Sequence, residues 1–414
     1  MTDDCRRRES CRLCGGRDLE FVFKLTPTPP ANAFVRTDAR GSNQSRYPLD
    51  VFFCRTCAHV QLLDVVDPGL LFKDYVYVSG TSSVFVRHFA DYADAMVKRF
   101  KPEPGALVID VGSNDGTLLQ AFMDRGFRVL GVDPARRIAR RATQAGIDTV
   151  ADFFTRRLAT EIRRKHGPAA LITANNVFAH ADDLAGLRDG IGDLLAPGGM
   201  FVFEVSYLAD VIEKTLFDTI YHEHLAYHSV KPLQRFFDAG GMTMFAAERV
   251  DVHGGSLRGM VQAAGGPHVA DGSVAGLTAM EEKSGLDSAG TFRDFSDRIA
   301  RLGKTFKSLV AKIKAEGKSI AGFGAPAKAT TLMYHFGIGP DVVDFIVDDS
   351  PFKQGLFTPG QHIPVLPADA LYERRPDYVI VLAWNFAEPI MAKHSAFREQ
   401  GGRFIVPLPE LTIH

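Results

Sequence analysis

Cysteine is scarce in this sequence, five residues in 414, and all five precede residue 58. A disulfide scaffold would spread them along the chain, so oxidative cross-linking is excluded as the principle of the fold. No apolar run approaches the roughly 18 residues of a membrane span, and Met1-Thr2-Asp3-Asp4-Cys5-Arg6-Arg7-Arg8 has no apolar segment behind its charges. A soluble, cytoplasmic chain with no membrane partner is expected. Surplus charge is missing too. Lys and Arg number 48 against 49 Asp and Glu, a net charge of −1, so no basic field draws the protein onto nucleic acid. Short-period repeats and low-complexity segments are also absent. What is present is ordinary globular composition, 46% hydrophobic and 23% charged, at a length suited to two or three domains.

The placement of the cysteines is informative. Cys11-Arg12-Leu13-Cys14 and Cys54-Arg55-Thr56-Cys57 are two C-x2-C pairs, with Cys5 left over. Each short knuckle aims two sulfurs at one point, and the distant pair closes the chain around it, the donor set of a tetrahedral Zn2+. Residues 15–53 separate the pairs, more than the usual roughly 15–20, and a hairpin containing 47–53 would take up the excess. A redox C-x-x-C and unrelated core thiols are the alternatives. Four thiolates leave no open coordination position, so the metal is structural. His59 reads as a satisfied neighbour, not a ligand.

The rest of the chain divides by pattern. Thr26-Pro27-Thr28-Pro29-Pro30-Ala31-Asn32 reads as a loop, and Phe85 to Phe100 as a helix stopped by Pro102, Pro104 and Gly105. Strand and helix then alternate from 106 to 145, as a parallel sheet with helices on its faces requires. Leu171 to Ala174 and Met200 to Val205 continue the strands. Segments 244–252 and 257–262 read as an antiparallel edge pair, and 275–316 as polar helix bridging two domains. A second α/β unit begins at Ile320 and does not obviously repeat the first.

Two glycine turns and one histidine cluster carry candidate chemistry. Val108-Ile109-Asp110-Val111-Gly112-Ser113-Asn114-Asp115-Gly116 puts an acid in a strand and a glycine turn after it, spaced D-x-G-x-x-x-G and not G-x-G-x-x-G. The missing third glycine argues against a dinucleotide pyrophosphate. Asp133 closes the next strand, where a carboxylate can accept two ribose hydroxyls. Asp152 and Phe153 follow the third strand and would cover an adenine. In the second unit, Gly322-Phe323-Gly324-Ala325-Pro326-Ala327-Lys328 is either a structural turn or a diphosphate site. Tyr221-His222-Glu223-His224-Leu225-Ala226-Tyr227-His228 lacks the H-E-x-x-H spacing of a zincin. His224 and His228 would share a metal only on a helix. A surface patch and general acid–base work are the other readings.

These motifs in one order, with Tyr75-Val76-Tyr77-Val78-Ser79-Gly80-Thr81 and His253-Gly254-Gly255-Ser256-Leu257-Arg258 among them, resemble the nucleotide-sugar C-methyltransferases that make branched deoxysugars such as mycarose and tetronitrose. The resemblance spans essentially the whole chain. It implies an α/β protein of three parts: a zinc-binding module (1–72), a class I Rossmann-like S-adenosylmethionine (SAM) methyltransferase domain (73–300) and a C-terminal Rossmann-like substrate domain (301–414). It implies Zn2+ on Cys11, Cys14, Cys54 and Cys57, and SAM at Asp110, Gly112, Asn114, Asp133, Asp152 and Phe153. The implied substrate is a nucleoside diphosphate 4-keto-6-deoxyhexose, commonly dTDP-linked, held by Tyr77, Ser79 and Lys328. By the same resemblance His224 is the base, Tyr221, Tyr75 and His180 support the oxyanion, Glu223 orients or stabilises His224, and C-3′ is favoured. The chain would act as a monomer or small homo-oligomer. The competing classes are C-5′ methylation, an NAD-dependent sugar-nucleotide oxidoreductase, and a zinc-ribbon interaction protein.

Overall fold

Alternating apolar residues either side of the proline-rich loop pair as an antiparallel hairpin, β1 (Leu19–Thr28) with β2 (Tyr47–Cys54), and β3 (Val60–Leu62) joins β2. The register sets Leu19 opposite Cys54, bringing the two cysteine turns to one end of the hairpin. A two-residue strand from far along the chain, Ala226–Tyr227, completes this sheet against β3. The histidine cluster thus runs directly into the sheet of the cysteine module. The computed structural model describes residues 4–73, 80, 83–252 and 254–414; Tyr75, Tyr77, Ser79 and His253 lie outside the described residues.

After the helix α1 (Ser83–Phe100) comes the central sheet. Its strands are β4 (Leu107–Val111), β5 (Arg128–Val132), β6 (Thr149–Val150), β7 (Ala169–Asn175), β8 (Leu195–Ser206), β9 (Met242–Val250) and β10 (Ser256–Ala263), in the order β9-β10-β8-β7-β4-β5-β6. The five strands from β4 to β8 are parallel where they pair, and β10 returns antiparallel beside β8. Every residue of β4 is buried, as a strand covered by helices on both faces requires. Phe178, Phe201, Phe203 and, from the helix α2 (Val230–Ala239), Phe237 stack under one face, with Phe178 and Phe203 centroids 5.4 Å apart.

The C-terminal sheet holds β11 (Ile320–Phe323), β12 (Ile346–Val347), β13 (Val365–Leu366), β14 (Tyr378–Val381), β15 (Arg403–Val406) and β16 (Thr412–Ile413), ordered β13-β12-β11-β14-β15-β16. This corrects the expectation that the two α/β units do not repeat. Strand for strand, β11 to β15 reproduce the order and parallel sense of β4 to β8, and β16 returns antiparallel as β10 does. Strands β12 and β13 are only two residues long, too short for a hydrophobic pattern to reveal the repeat.

The polar helical stretch expected as a bridge is mainly one helix, α3 (Ala289–Ala315), capped by the Ser288 side chain on the Gly290 N–H. The expected division at 300/301 falls inside it. Phe292, Phe295, Ile299, Phe306, Val310 and Ile313 are its buried stripe, at the spacing of a helix with one apolar face. Phe295 meets Phe23 of β1 at 5.7 Å, Phe292 meets Phe53 of β2 at 5.6 Å, and Phe306 meets Phe336 of α4 (Ala327–Phe336) at 5.4 Å. One helix therefore binds the cysteine module to the C-terminal unit. Among the described residues no helix is long and apolar enough to cross a membrane. Because Phe295 is fully buried, Phe295→Ala should cost about 3–5 kcal/mol, read as a lower midpoint in urea unfolding at an unchanged m-value.

Candidate functional site

The carboxyl ends of the central strands open onto a cavity of about 560 Å3, the place where open α/β sheets bind ligands. Gly112, at φ +73°, turns the chain out of β4, and a Cβ there would stand 2.1 Å from Val177 Cγ2. Only glycine fits. Asp133 accepts the Asn114 N–H and the Ala135 N–H, each at 2.8 Å. Those two bonds aim the carboxylate at the cavity wall and leave lone pairs for further donors, while burial pushes its pKa up. Asp110, fully buried, accepts the Thr173 hydroxyl at 2.6 Å and is pushed up to about 7 by burial. Phe153 lines the cavity with Phe154. Asp152 does not line it. Its carboxylate caps the Phe153 N–H at 2.8 Å and faces Arg157 on the surface, so the expected contact to an adenine is not in place. The Gly112 cradle and the anchored Asp133 suit the adenosyl part of SAM.

The histidine cluster is not helical, and its side chains diverge. His224 and Tyr221 line the cavity. His224 Nδ1 donates to the Thr219 carbonyl at 2.7 Å, and since a carbonyl can only accept, this fixes the proton on Nδ1. Nε2 is then the acceptor, and the Tyr221 hydroxyl meets it at 3.0 Å. Burial lowers His224 to about 4, so the ring is neutral at pH 7. His180 stacks on it at 5.0 Å with Phe72 behind at 5.5 Å, and is held neutral by burial and by His224. Glu223 does not orient His224, because both ring nitrogens are taken. Its Oε1 accepts the Asn32 amide at 2.7 Å. His222 and His228 turn inward: His222 donates to the Tyr47 carbonyl, and His228 stacks between Phe178 and His59. His224 and His228 cannot share a metal. Nor is His59 the satisfied neighbour expected, since neither of its ring nitrogens has a partner among the described residues.

The same cavity continues to the carboxyl ends of the C-terminal strands. Gly324, at φ +86°, repeats Gly112, for a Cβ there would meet Ala383 Cβ at 2.5 Å. Asp348 repeats Asp133, accepting the Ala325 N–H at 2.6 Å and the Ser350 N–H at 2.7 Å. Two ammonium groups line this end. Lys328 stands over the Trp384 ring at 3.5 Å and is lowered to about 8 by burial. Lys353 donates to the Ala325 carbonyl at 2.8 Å, and burial lowers it as well. Sequence reasoning missed Lys353, Trp384 and Asn32. Asn32 lies in the proline-rich loop, where only its neighbours in space distinguish it.

Away from the cavity, Cys11, Cys14, Cys54 and Cys57 bring their sulfurs within 4.8 Å of one another. That crowding suits the edges of a tetrahedron with Zn–S bonds of about 2.3 Å. Cys5 stands apart from the cluster.

Three family models match the chain in succession: a proposed zinc binding domain over 11–72, a methyltransferase domain over 85–246 and a C-methyltransferase C-terminal domain over 251–409. The C-methyltransferase NovU of Streptomyces niveus is 37% identical over 410 residues, 99% of this chain and 98% of that protein. Two solved structures resemble 45% of the chain. One is magnesium protoporphyrin IX methyltransferase of Synechocystis (15% identity, 89% of that chain, TM-score 0.34). The other is the PH0226 protein of Pyrococcus horikoshii (14%, 94%, TM-score 0.36).

Purified protein should carry one zinc per chain, and Cys54→Ser should lower metal content and soluble yield together, checked by elemental analysis. Stability should fall in acid. Burial depresses His222 and His224 to about 4 and His228 to about 3. Below the ordinary histidine value of about 6.5 the unfolded chain takes up protons that the native chain refuses. Each such ring should remove up to about 1.4 kcal/mol per pH unit, a loss that begins below pH 6.5 and continues toward pH 4. Urea unfolding at pH 7.5, 6.5 and 5.5 measures it.

Proposed function

The chain belongs to the C-methyltransferase family that includes NovU, with SAM as methyl donor and zinc as the metal of its cysteine cluster, and from that premise we propose that it methylates the carbon beside the ketone of a nucleoside diphosphate 4-keto-6-deoxyhexose. The observation that carries the reading is the single cavity. Its lining includes Gly112 and Asp133 of the central unit, Lys328 and Lys353 of the C-terminal unit, and His224 with Tyr221. A methyl-donor site, a base and a pair of cations for a diphosphate therefore share one enclosure. A dTDP-linked sugar and C-3′ are favoured on the resemblance to the branched-deoxysugar enzymes.

A proton beside a ketone becomes removable because the resulting charge spreads onto the carbonyl oxygen as an enolate. His224 Nε2 takes that proton. The Thr219 carbonyl, already bonded to Nδ1–H, steadies the imidazolium that forms. Burial disfavours that cation, and the enolate charge beside it offsets the cost. Tyr221 now bonds to Nε2, and on substrate binding its hydroxyl turns to the ketone oxygen, where His180 and Tyr75 are proposed to assist. A well-placed donor of this kind contributes on the order of 3 kcal/mol. SAM, when bound, supplies the electrophilic methyl group that the enolate carbon takes. Tyr77 and Ser79 are proposed as sugar contacts and Lys328 as a diphosphate contact. Asp110 and Asn114 belong to the wall of the SAM site. Phe153 is proposed to stack on the adenine without Asp152.

Incubation with labelled SAM and a panel of keto-sugar nucleotides, followed by NMR location of the methyl, tests substrate and position together. Methyl transfer to no keto-sugar nucleotide overturns the reading, and a methyl at C-5′ overturns its position. His224→Ala should bind both ligands yet lose solvent deuterium exchange at the reacting carbon, with a rate loss of about 10²–10⁴-fold. Tyr221→Phe should slow exchange less. Because the base is neutral down to about pH 4, kcat/KM should show no acid limb near the ordinary histidine value of about 6.5. A limb there would move the base elsewhere.

A further inference from the structure

The buried aspartate behind the lysine end of the cavity has no role in the chemistry above. Asp218 lies in the turn Phe217–Thr219, three residues before Tyr221-His222-Glu223-His224 begins, and is wholly inaccessible to solvent. Its Oδ2 accepts the Trp384 indole N–H at 2.6 Å. Its Oδ1 has no partner among the described residues. A buried carboxylate with one oxygen unpaired is costly unless a cation lies close. The nearby cation is Lys328, whose ammonium rests on the face of the same indole at 3.5 Å. The two charges form no direct ion pair; Asp218 meets the edge of the indole and Lys328 its face. Among the described residues no acceptor takes an N–H of Lys328, so its donors are left to the cavity.

We propose that Asp218 is a positioning residue for anion binding: through Trp384 it holds Lys328 charged and in place at the diphosphate end of the cavity. This rests on the reading of Lys328 as a contact to the substrate anion. An indole whose N–H is given to a carboxylate carries a more negative ring face and is held at a fixed angle, and both effects favour a cation over that face. Desolvation works against the charge, bringing Lys328 to about 8, and Asp218 is the opposing influence. The other charged groups at this end are Lys353, which also lines it, and Asp348, which lies near Lys353. His180, His224 and Tyr221 line the cavity further along. The turn that carries Asp218 also presents the Thr219 carbonyl to His224, so one short segment serves both the cation and the base.

Calorimetric titration of the zinc-loaded full chain with inorganic pyrophosphate, from pH 7 to pH 9, tests this. Lys328→Ala should bind at least tenfold more weakly than wild type. Asp218→Asn keeps the shape and an acceptor for the indole but removes the charge. It should weaken binding about fivefold near pH 8 and close to tenfold at pH 9, the effect of lowering Lys328 by roughly one pKa unit, and move the loss of affinity with rising pH to lower pH. Adding Lys328→Arg to Asp218→Asn should restore binding and remove that shift, because arginine stays charged throughout the range. SAM affinity should be unchanged in Asp218→Asn. Where that variant does not fold, Trp384→Phe, which keeps a ring face and loses the N–H, should show the same shift. If wild type binds pyrophosphate no better than Lys328→Ala, the anion site itself fails and this inference with it. If wild type binds better but Asp218→Asn matches it at every pH, or arginine does not rescue, the positioning role alone is overturned.

Discussion

The hydrogen bond from His224 Nδ1 to the Thr219 carbonyl sets the chemistry of the cavity. It determines the tautomer, turns Nε2 toward the space that substrate would fill, and holds the ring against His180. It is only as firm as the turn that carries Thr219. That turn is fastened from the C-terminal unit, by Thr331 Oγ1 on the Ile220 carbonyl at 2.9 Å and by Phe217 against Phe336 at 4.9 Å. The proposed base therefore belongs by sequence to the central unit and by support to the C-terminal one.

The repeated strand order explains why one enclosure offers two different sites. Each sheet places a positive-φ glycine after its first strand and an anchored carboxylate after its second, Gly112 with Asp133 and Gly324 with Asp348. Both sheets turn their carboxyl ends to the same cavity. The two ends differ in charge. The central end adds Asp110, while the C-terminal end adds Lys328 and Lys353, so under the proposed function a cationic donor and an anionic acceptor would meet complementary walls.

The cysteine module contributes more than a metal-stapled hairpin. Its loop between β1 and β2 crosses to the C-terminal unit, where the Val35 N–H bonds the Phe357 carbonyl at 2.9 Å and the Thr330 hydroxyl bonds the Ala31 carbonyl at 3.1 Å. Between those contacts it offers Asn32 to Glu223. A small module has too little core to hold such a loop unaided. Zinc at the cysteine turns and the phenylalanine contacts of α3 along the hairpin do so together.

The sequence by itself determined the elements whose cause is local. Paired C-x2-C knuckles required a four-sulfur site, the run 107–111 required a covered strand, and the D-x-G turn required a glycine where Val177 leaves no room for a Cβ. It also singled out the cluster 221–228 and the glycine turn with Lys328, and the family resemblance picked His224 and Tyr221 from that cluster. It did not reveal that the C-terminal unit repeats the central topology, because two-residue strands carry no period. It misjudged Glu223, Asp152 and His59, and it passed over Lys353, Asn32 and Asp218. Glu223, His59, Asn32 and Asp218 depend on which groups meet across the junction of the units, and residue type says nothing of that. Hydrophobic period and turn chemistry act over a few neighbouring residues, whereas burial and the pairing of charge act in space; only the tertiary structure brings Asp218 to Trp384 and Asn32 to Glu223.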